Sequence, residues 1–244
     1  MVFFDVLPYI FFITGIVVGS FLHVCAYRIP RGESILFPPS RCTCCGRRIK
    51  AVDLAPLLNY LWLKSRRRFC GGKISISHPL VELLTGLLFM TACLRFGLSI
   101  ELIKALLLTS ILVVISIIDM EYLIIPNKLI VIVLFLGAIF VIFTGEPAVL
   151  SALMGFGAAF LFLLALALAS RGGIGGGDIK LMAAAGFVLG LRPSMTAMVV
   201  GFLVLSLFYG VYAIIQKLRG RDMPRAYPLA PFLSLGCLMV YFIH

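Results

Sequence analysis

Eight apolar runs alternate with short polar turns along this chain, at residues 4–26, 79–96, 101–119, 127–143, 148–169, 178–191, 194–216 and 226–243. Most of them reach or approach the roughly 20 residues that a helix needs to cross about 30 Å of hydrocarbon. A backbone in lipid must satisfy its own hydrogen bonds, so such runs predict helices rather than open strands. The pattern therefore predicts an all-α polytopic membrane protein with about eight transmembrane helices. The run 178–191 is short for a full crossing and predicts a broken or half-buried helix packed inside the bundle. One polar interval breaks the rhythm. Residues 28–78 carry Pro30, Pro38, Pro39, four cysteines and many basic residues, which predicts a small extramembrane domain. The organisation read from the pattern is a first transmembrane helix over 1–27, a Cys- and Arg-rich domain over 28–78, and a seven-helix membrane domain over 79–244.

Composition agrees, with 62% hydrophobic and 13% charged residues against about 45–50% apolar in soluble domains. A net charge of +11 would raise the question of nucleic acid in a soluble protein. Here the positions of the charges answer it. Residues 28–78 hold eleven of the 21 lysines and arginines, and most others fall near 128, in 171–180 and in 217–225. All of these lie on one side if the eight runs alternate across the membrane. A positive-inside bias then places the 28–78 domain in the cytoplasm and the N-terminus outside, and no nucleic-acid partner is needed. Arg95 and Arg192 remain for short external turns, and Lys104 for snorkelling out of the third run. The first run lacks a basic leader and a small-residue cleavage site, so it reads as a retained helix. Seven cysteines, four of them in one basic loop, suit a thiol or metal cluster in a reducing compartment better than a disulfide framework.

Two carboxylates stand out because each sits where an apolar run meets a turn. Asp178 follows Gly175, Gly176 and Gly177 in RGGIGGGDIKL, and Asp119 lies in SIIDMEYLIIPNKL. A charge there costs several kcal/mol unless it has a partner or a purpose. In the predicted topology both fall at the cytoplasmic face. Two carboxylates in reach of each other share a proton, so one can activate water while the other polarises a carbonyl. The glycines remove side chains beside Asp178, permit unusual backbone conformations and let an extended substrate approach. Simpler roles compete. Asp178 could cap the sixth helix or pair with Lys180 or Arg171, and Asp119 could pair with Lys128. Glu121, two residues into the turn, is the rival of Asp119 and reads as solvated. A transporter with a cation site, or a non-catalytic scaffold of a secretion system, are the alternative functions.

Taken together, the segments GSFLHVCAYRIPRGESILFPPSRC, APLLNYLWLKSRRRFCGGKISISHPLVELLTG, SIIDMEYLIIPNKL, GGGDIKLMAAAGFVLG and YPLAPFLSLG, in this order, resemble the prepilin peptidases, or type IV leader peptidases. These are membrane aspartic proteases with a Gly-x-Gly-Asp motif. The resemblance implies that Asp119 and Asp178 are the catalytic pair and that no cofactor is required for the peptidase. It implies prepilin or pseudopilin substrates, each with a short basic leader in the cytoplasm followed by an apolar helix and cut just after a glycine. It further implies a bacterial inner-membrane location. Many relatives also methylate the new N-terminus from S-adenosylmethionine, although no nucleotide-cradling glycine loop is visible in residues 28–78. Membrane lipid is the other expected partner, and the oligomeric state is left open.

The cysteine loop departs from the family. Two Cys-x-x-Cys pairs would suit tetrahedral zinc, but Arg67 stands at the position of the third cysteine, leaving Cys42, Cys45 and Cys70 with Cys44 as an extra thiol. Zinc and free thiols both remain open. The basic run Arg66 to Arg68 reads as a solvated or lipid-phosphate-facing surface. Cys25, Cys93 and Cys237 read as core residues. His23 reads as an interhelical packing group, Glu82 as a polar contact across helices, and Gly15, Gly19, Gly155 and Gly157 as helix-packing positions.

Overall fold

The computed structural model describes residues 2–35, 75–170, 172–220 and 227–243. Among them are eight helices and no strand: α1 (Val2–Arg28), α2 (Ser77–Phe96), α3 (Ile100–Tyr122), α4 (Asn127–Thr144), α5 (Val149–Ala169), α6 (Gly176–Leu189), α7 (Leu191–Leu218) and α8 (Ala230–Ile243). Each answers to one apolar run. Six, α1 to α5 and α7, are long and apolar enough to cross a membrane. The other two have 14 residues each, about 21 Å at 1.5 Å per residue. The protein is thus a polytopic all-α membrane protein, with six candidate spans and two shorter helices among the described residues. Most of the predicted 28–78 domain, including Cys42, Cys44, Cys45, Arg67 and Cys70, lies outside the described residues.

The chain forms two compact units, residues 1–114 and 115–244, with the boundary inside α3. In the first unit α1 packs along α2. Small residues make the approach possible, because lipid offers no hydrophobic force between helices and backbones must come close. A Cβ on Gly15 would sit 2.8 Å from the Gly86 Cα, and one on Gly19 would sit 2.9 Å from the Glu82 Cα. Glu82 is buried, as expected of a polar group inside a helix pair. The His23 ring packs edge-on against His78 with centroids 3.7 Å apart. Lys104 differs from expectation. It does not snorkel: its side chain is 5% exposed, and Nζ lies 3.6 Å from Glu101 Oε2, one turn back on α3. A local carboxylate satisfies the ammonium more directly than a stretch to the headgroups.

The second unit is arranged around α6, which packs against α4, α5, α7 and α8. Ten of its residues are buried, from Asp178 and Ile179 to Val188 and Leu189. A helix apolar all round belongs in an interior, and this is the short inner helix that the 178–191 run suggested. Small residues again set the spacing. A Cβ on Gly155 of α5 would run into the Gly186 carbonyl oxygen of α6, a Cβ on Gly137 of α4 would sit 2.9 Å from Phe187, and a Cβ on Gly236 of α8 would meet the Ala197 carbonyl oxygen of α7. Gly157 is a correction, since a Cβ there would meet nothing within 4 Å. It points away from α6 because two residues along a helix turn the side chain by about 200°.

Only Gly190, at φ +84°, separates α6 from α7. Glycine adopts this left-handed region without the Cβ penalty, so one residue suffices to redirect the chain. The predicted turn at Arg192 is absent for this reason: Arg192 and Pro193 already belong to the first turn of α7, where proline loses no hydrogen bond. Ser151 Oγ of α5 accepts from the Leu191 N–H at 3.2 Å and fixes the junction.

Candidate active site

Asp119 lies on the inward stripe of α3. Leu108, Leu112 and Ile115 precede it at spacings of four and three residues, all buried, and Asp119 continues the stripe at 5% exposure. Glu121, two residues on, is exposed. The periodicity that buries the one expels the other. The helix does not stop at Asp119 but continues to Tyr122. Leu123, at φ +54°, then donates its N–H to the Asp119 carbonyl at 3.0 Å, a left-handed helix stop made without glycine. Ile124 to Pro126 lead directly into α4.

Asp178 lies in the first turn of α6. The cap position is taken by Gly175, with no side-chain cap bond, and Asp178 is the third helical residue. A capping role at the first position is therefore corrected. In this first turn the carboxylate instead lies beside the backbone N–H groups of Asp178 and Gly175, which favour its charge. Helix capping needs no more than that. Yet Oδ1 is buried with no hydrogen-bond partner among the described residues. A native protein seldom leaves such an atom unmatched, because the desolvation is uncompensated.

The two helix ends are held side by side. Gly177 has room only for hydrogen against Ile125: a Cβ there would sit 3.0 Å from the Ile125 Cβ. Lys180 Nζ donates to Asn127 Oδ1 at 3.2 Å, tying α6 to the start of α4. This spends the lysine that might have paired with Asp178, and among the described residues no Lys or Arg forms a salt bridge to either acid. Arg171 lies outside the described residues. Asp178 feels the charge of Asp119 directly.

The motif glycines act through space, not backbone freedom. Gly175 has φ −69°, and neither Gly176 nor Gly177 has a positive φ, so the expectation of unusual conformations is not met. The helix begins earlier than the run of apolar residues implied, and a helical backbone needs no left-handed residue. A Cβ on Gly175 would lie 2.9 Å from Asp178 Oδ2, whereas one on Gly176 would meet nothing within 4 Å.

Sequence reasoning missed the partners of Asp119. The Ala230 N–H, opening α8, donates to Asp119 Oδ2 at 2.9 Å in a buried contact, and the Leu229 N–H adds a second favourable interaction. Tyr209 of α7 feels the charge of Asp119. Its ring lies 4.4 Å from that of Tyr227 and 5.5 Å from that of Phe232, centroid to centroid. The segment YPLAPFLSLG carried the only available signal, two prolines enclosing Leu229 and Ala230. Backbone donors leave no side-chain signature.

Comparison with known proteins gives the family. Residues 13–96 match the Bacterial Peptidase A24 N-terminal domain, and residues 106–214 match the Type IV leader peptidase family. A Bacillus subtilis protein called prepilin leader peptidase/N-methyltransferase is 37% identical over 95% of this chain and 92% of its own. The chain belongs to the type IV leader peptidase family. Proteins of the same name from Pectobacterium carotovorum, 31% identical over 92% of this chain and 88% of theirs, and Aeromonas hydrophila, 30% identical over 94% and 90%, extend the likeness. No solved structure matches. As a member of this family the chain is a protease, and its helices make it a multi-pass membrane protein. Family membership displaces the transporter and scaffold readings.

Proposed function

We propose that Asp119 and Asp178 are the catalytic pair of an aspartic endopeptidase that removes leaders from prepilin-like proteins at the cytoplasmic face of the bacterial inner membrane. The observation that carries this reading is a buried carboxylate pair that, among the described residues, has no Lys or Arg in a salt bridge to it and leaves one oxygen, Asp178 Oδ1, without a partner. In the reaction one carboxylate takes a proton from water as the oxygen attacks the scissile carbonyl. The other, protonated, donates to the carbonyl oxygen. Collapse of the tetrahedral intermediate breaks the C–N bond as the proton taken from water passes to the departing nitrogen and one hydroxyl of the intermediate returns its proton to the second carboxylate. Water, acid and base suffice, so the peptidase needs no cofactor.

The substrate follows from chemistry at this depth. A basic leader stays in the cytoplasm, where the positive-inside bias keeps it, and the apolar helix behind it enters the bilayer. The scissile bond then lies near the interface, beside the start of α6. Methylation of the new N-terminus from S-adenosylmethionine is supported by the names of the relatives, and zinc in the 28–78 loop by cysteine spacing alone. Both belong to residues outside those described.

The test is leader cleavage of a co-expressed prepilin, read by gel shift and N-terminal mass. Asp119→Asn and Asp178→Asn should each lower the rate by at least about 10²-fold while the protein remains folded in the membrane. Cleavage by either variant at the wild-type rate would refute the pair. The mass of the product decides methylation separately.

A further inference from the structure

We infer that the entry to α8, Tyr227 to Ala230, is a positioning element that holds Asp119 as the ionised member of the pair, making Asp119 the base and leaving the shared proton on Asp178. The inference rests on the catalytic reading above and assigns roles within it. Four observations support it. Asp119 Oδ2 accepts from the Ala230 N–H at 2.9 Å, with Leu229 adding to it. These are the first amides of a 14-residue helix, so the α8 dipole also favours negative charge at that oxygen. Hydrogen bonds to the charged form of a carboxylate stabilise that form. Asp178 also sits in the first turn of a helix, but among the described residues its Oδ1 is buried with no hydrogen-bond partner, an arrangement suited to a protonated oxygen waiting for an acceptor, such as a substrate carbonyl.

The element is itself braced. Tyr209 packs on Tyr227 at 4.4 Å and on Phe232 at 5.5 Å, and Phe208 packs on Phe232 at 5.3 Å. Ala230 and Leu233 are fully buried, and Gly201 brings α7 against Leu233, where a Cβ would sit 3.1 Å from the Leu233 Cα. Among the described residues, the titratable groups around Asp119 are Asp178 of α6 and Tyr209 of α7, with Tyr227 and Tyr212 beyond it. Lys180 and Asn127 are bonded to each other. Asp119 and Asp178 are the two carboxylates among these groups, so the acid limb of the pH profile reports the pair.

The experiment replaces the Ala230 amide by an ester, with lactic acid introduced at position 230 of the full-length protein. This removes the N–H and adds no bulk. The readout is kcat/KM for prepilin cleavage between pH 4 and 9. The acid limb should move upward by about one unit, the scale of losing one hydrogen bond to a charged group, with the plateau at high pH and KM kept within a few-fold. A limb unchanged from wild type, or activity lost equally at every pH, would overturn the inference. Should the ester protein not accumulate, Tyr209→Ala removes the brace. A shift in the same direction supports the inference, and an unmoved limb overturns it. Asp119→Asn and Asp178→Asn run alongside: cleavage by either at the wild-type rate removes the catalytic reading itself, whereas an unmoved limb with both asparagine variants slowed by at least about 10²-fold removes only the role of the α8 entry.

Discussion

At the residue scale, three consecutive glycines do three different things. Gly175 leaves room for Asp178 Oδ2, Gly177 leaves room for Ile125, and Gly176 faces open space. Gly175→Ala forces the carboxylate or the methyl to move from a 2.9 Å contact, and a misplaced catalytic group loses about 10- to 100-fold in rate. The expected outcome is a fall in kcat at unchanged melting temperature. Gly176→Ala meets nothing inside the protein, so any cost must come from the substrate. If an extended strand passes over this turn, KM rises several-fold while kcat holds; steady-state kinetics of both variants on one prepilin measures each, and an unchanged KM would place the strand elsewhere. Asp119 and Asp178 were legible because a carboxylate beside an apolar run is costly and therefore rare. The Ala230 amide was not legible, since every residue except proline carries the same donor.

At the scale of the element, hydrophobic length gave the eight described helices to within a few residues, because in lipid the burial of the backbone leaves few alternatives. It gave the junctions less well. The span 226–243 became Ala230–Ile243, and the turn at Arg192 dissolved into α7, since a single left-handed glycine makes the break. Helix contacts were half legible. Gly15, Gly19 and Gly155 were recognised from spacing, but Gly157 was not a contact and Gly86, Gly137, Gly186, Gly201 and Gly236 went unremarked, because a small residue reveals its partner only once the helices are placed. The distinction is measurable. Gly155→Ala drives a methyl into the Gly186 carbonyl oxygen, and overpacking of this kind costs about 1–3 kcal/mol. Its melting temperature in detergent should fall. Gly157→Ala should melt at or slightly above the wild-type temperature, since alanine is the better helix former by about 1 kcal/mol.

At the scale of the whole molecule, the charge distribution predicts which thiols water can reach, and from which side. Cys25, Cys93 and Cys237 are buried, with the Cys237 thiol 3.8 Å from Met182 Sδ beside the inner helix. Cys42, Cys44, Cys45 and Cys70 lie in the loop that carries eleven of the 21 basic residues, which the positive-inside rule assigns to the cytoplasm. Flanking arginines also favour the reactive thiolate. An impermeant maleimide should therefore leave intact cells unlabelled, label up to four thiols in inside-out vesicles, and reach the other three only after denaturation, as counted by mass. Labelling in intact cells would invert the topology that the basic residues predict. A metal adds a second dependence. Thiolates bound to zinc react slowly, so labelling that rises after chelation would report a metal held despite Arg67, and labelling indifferent to chelation would report free thiols.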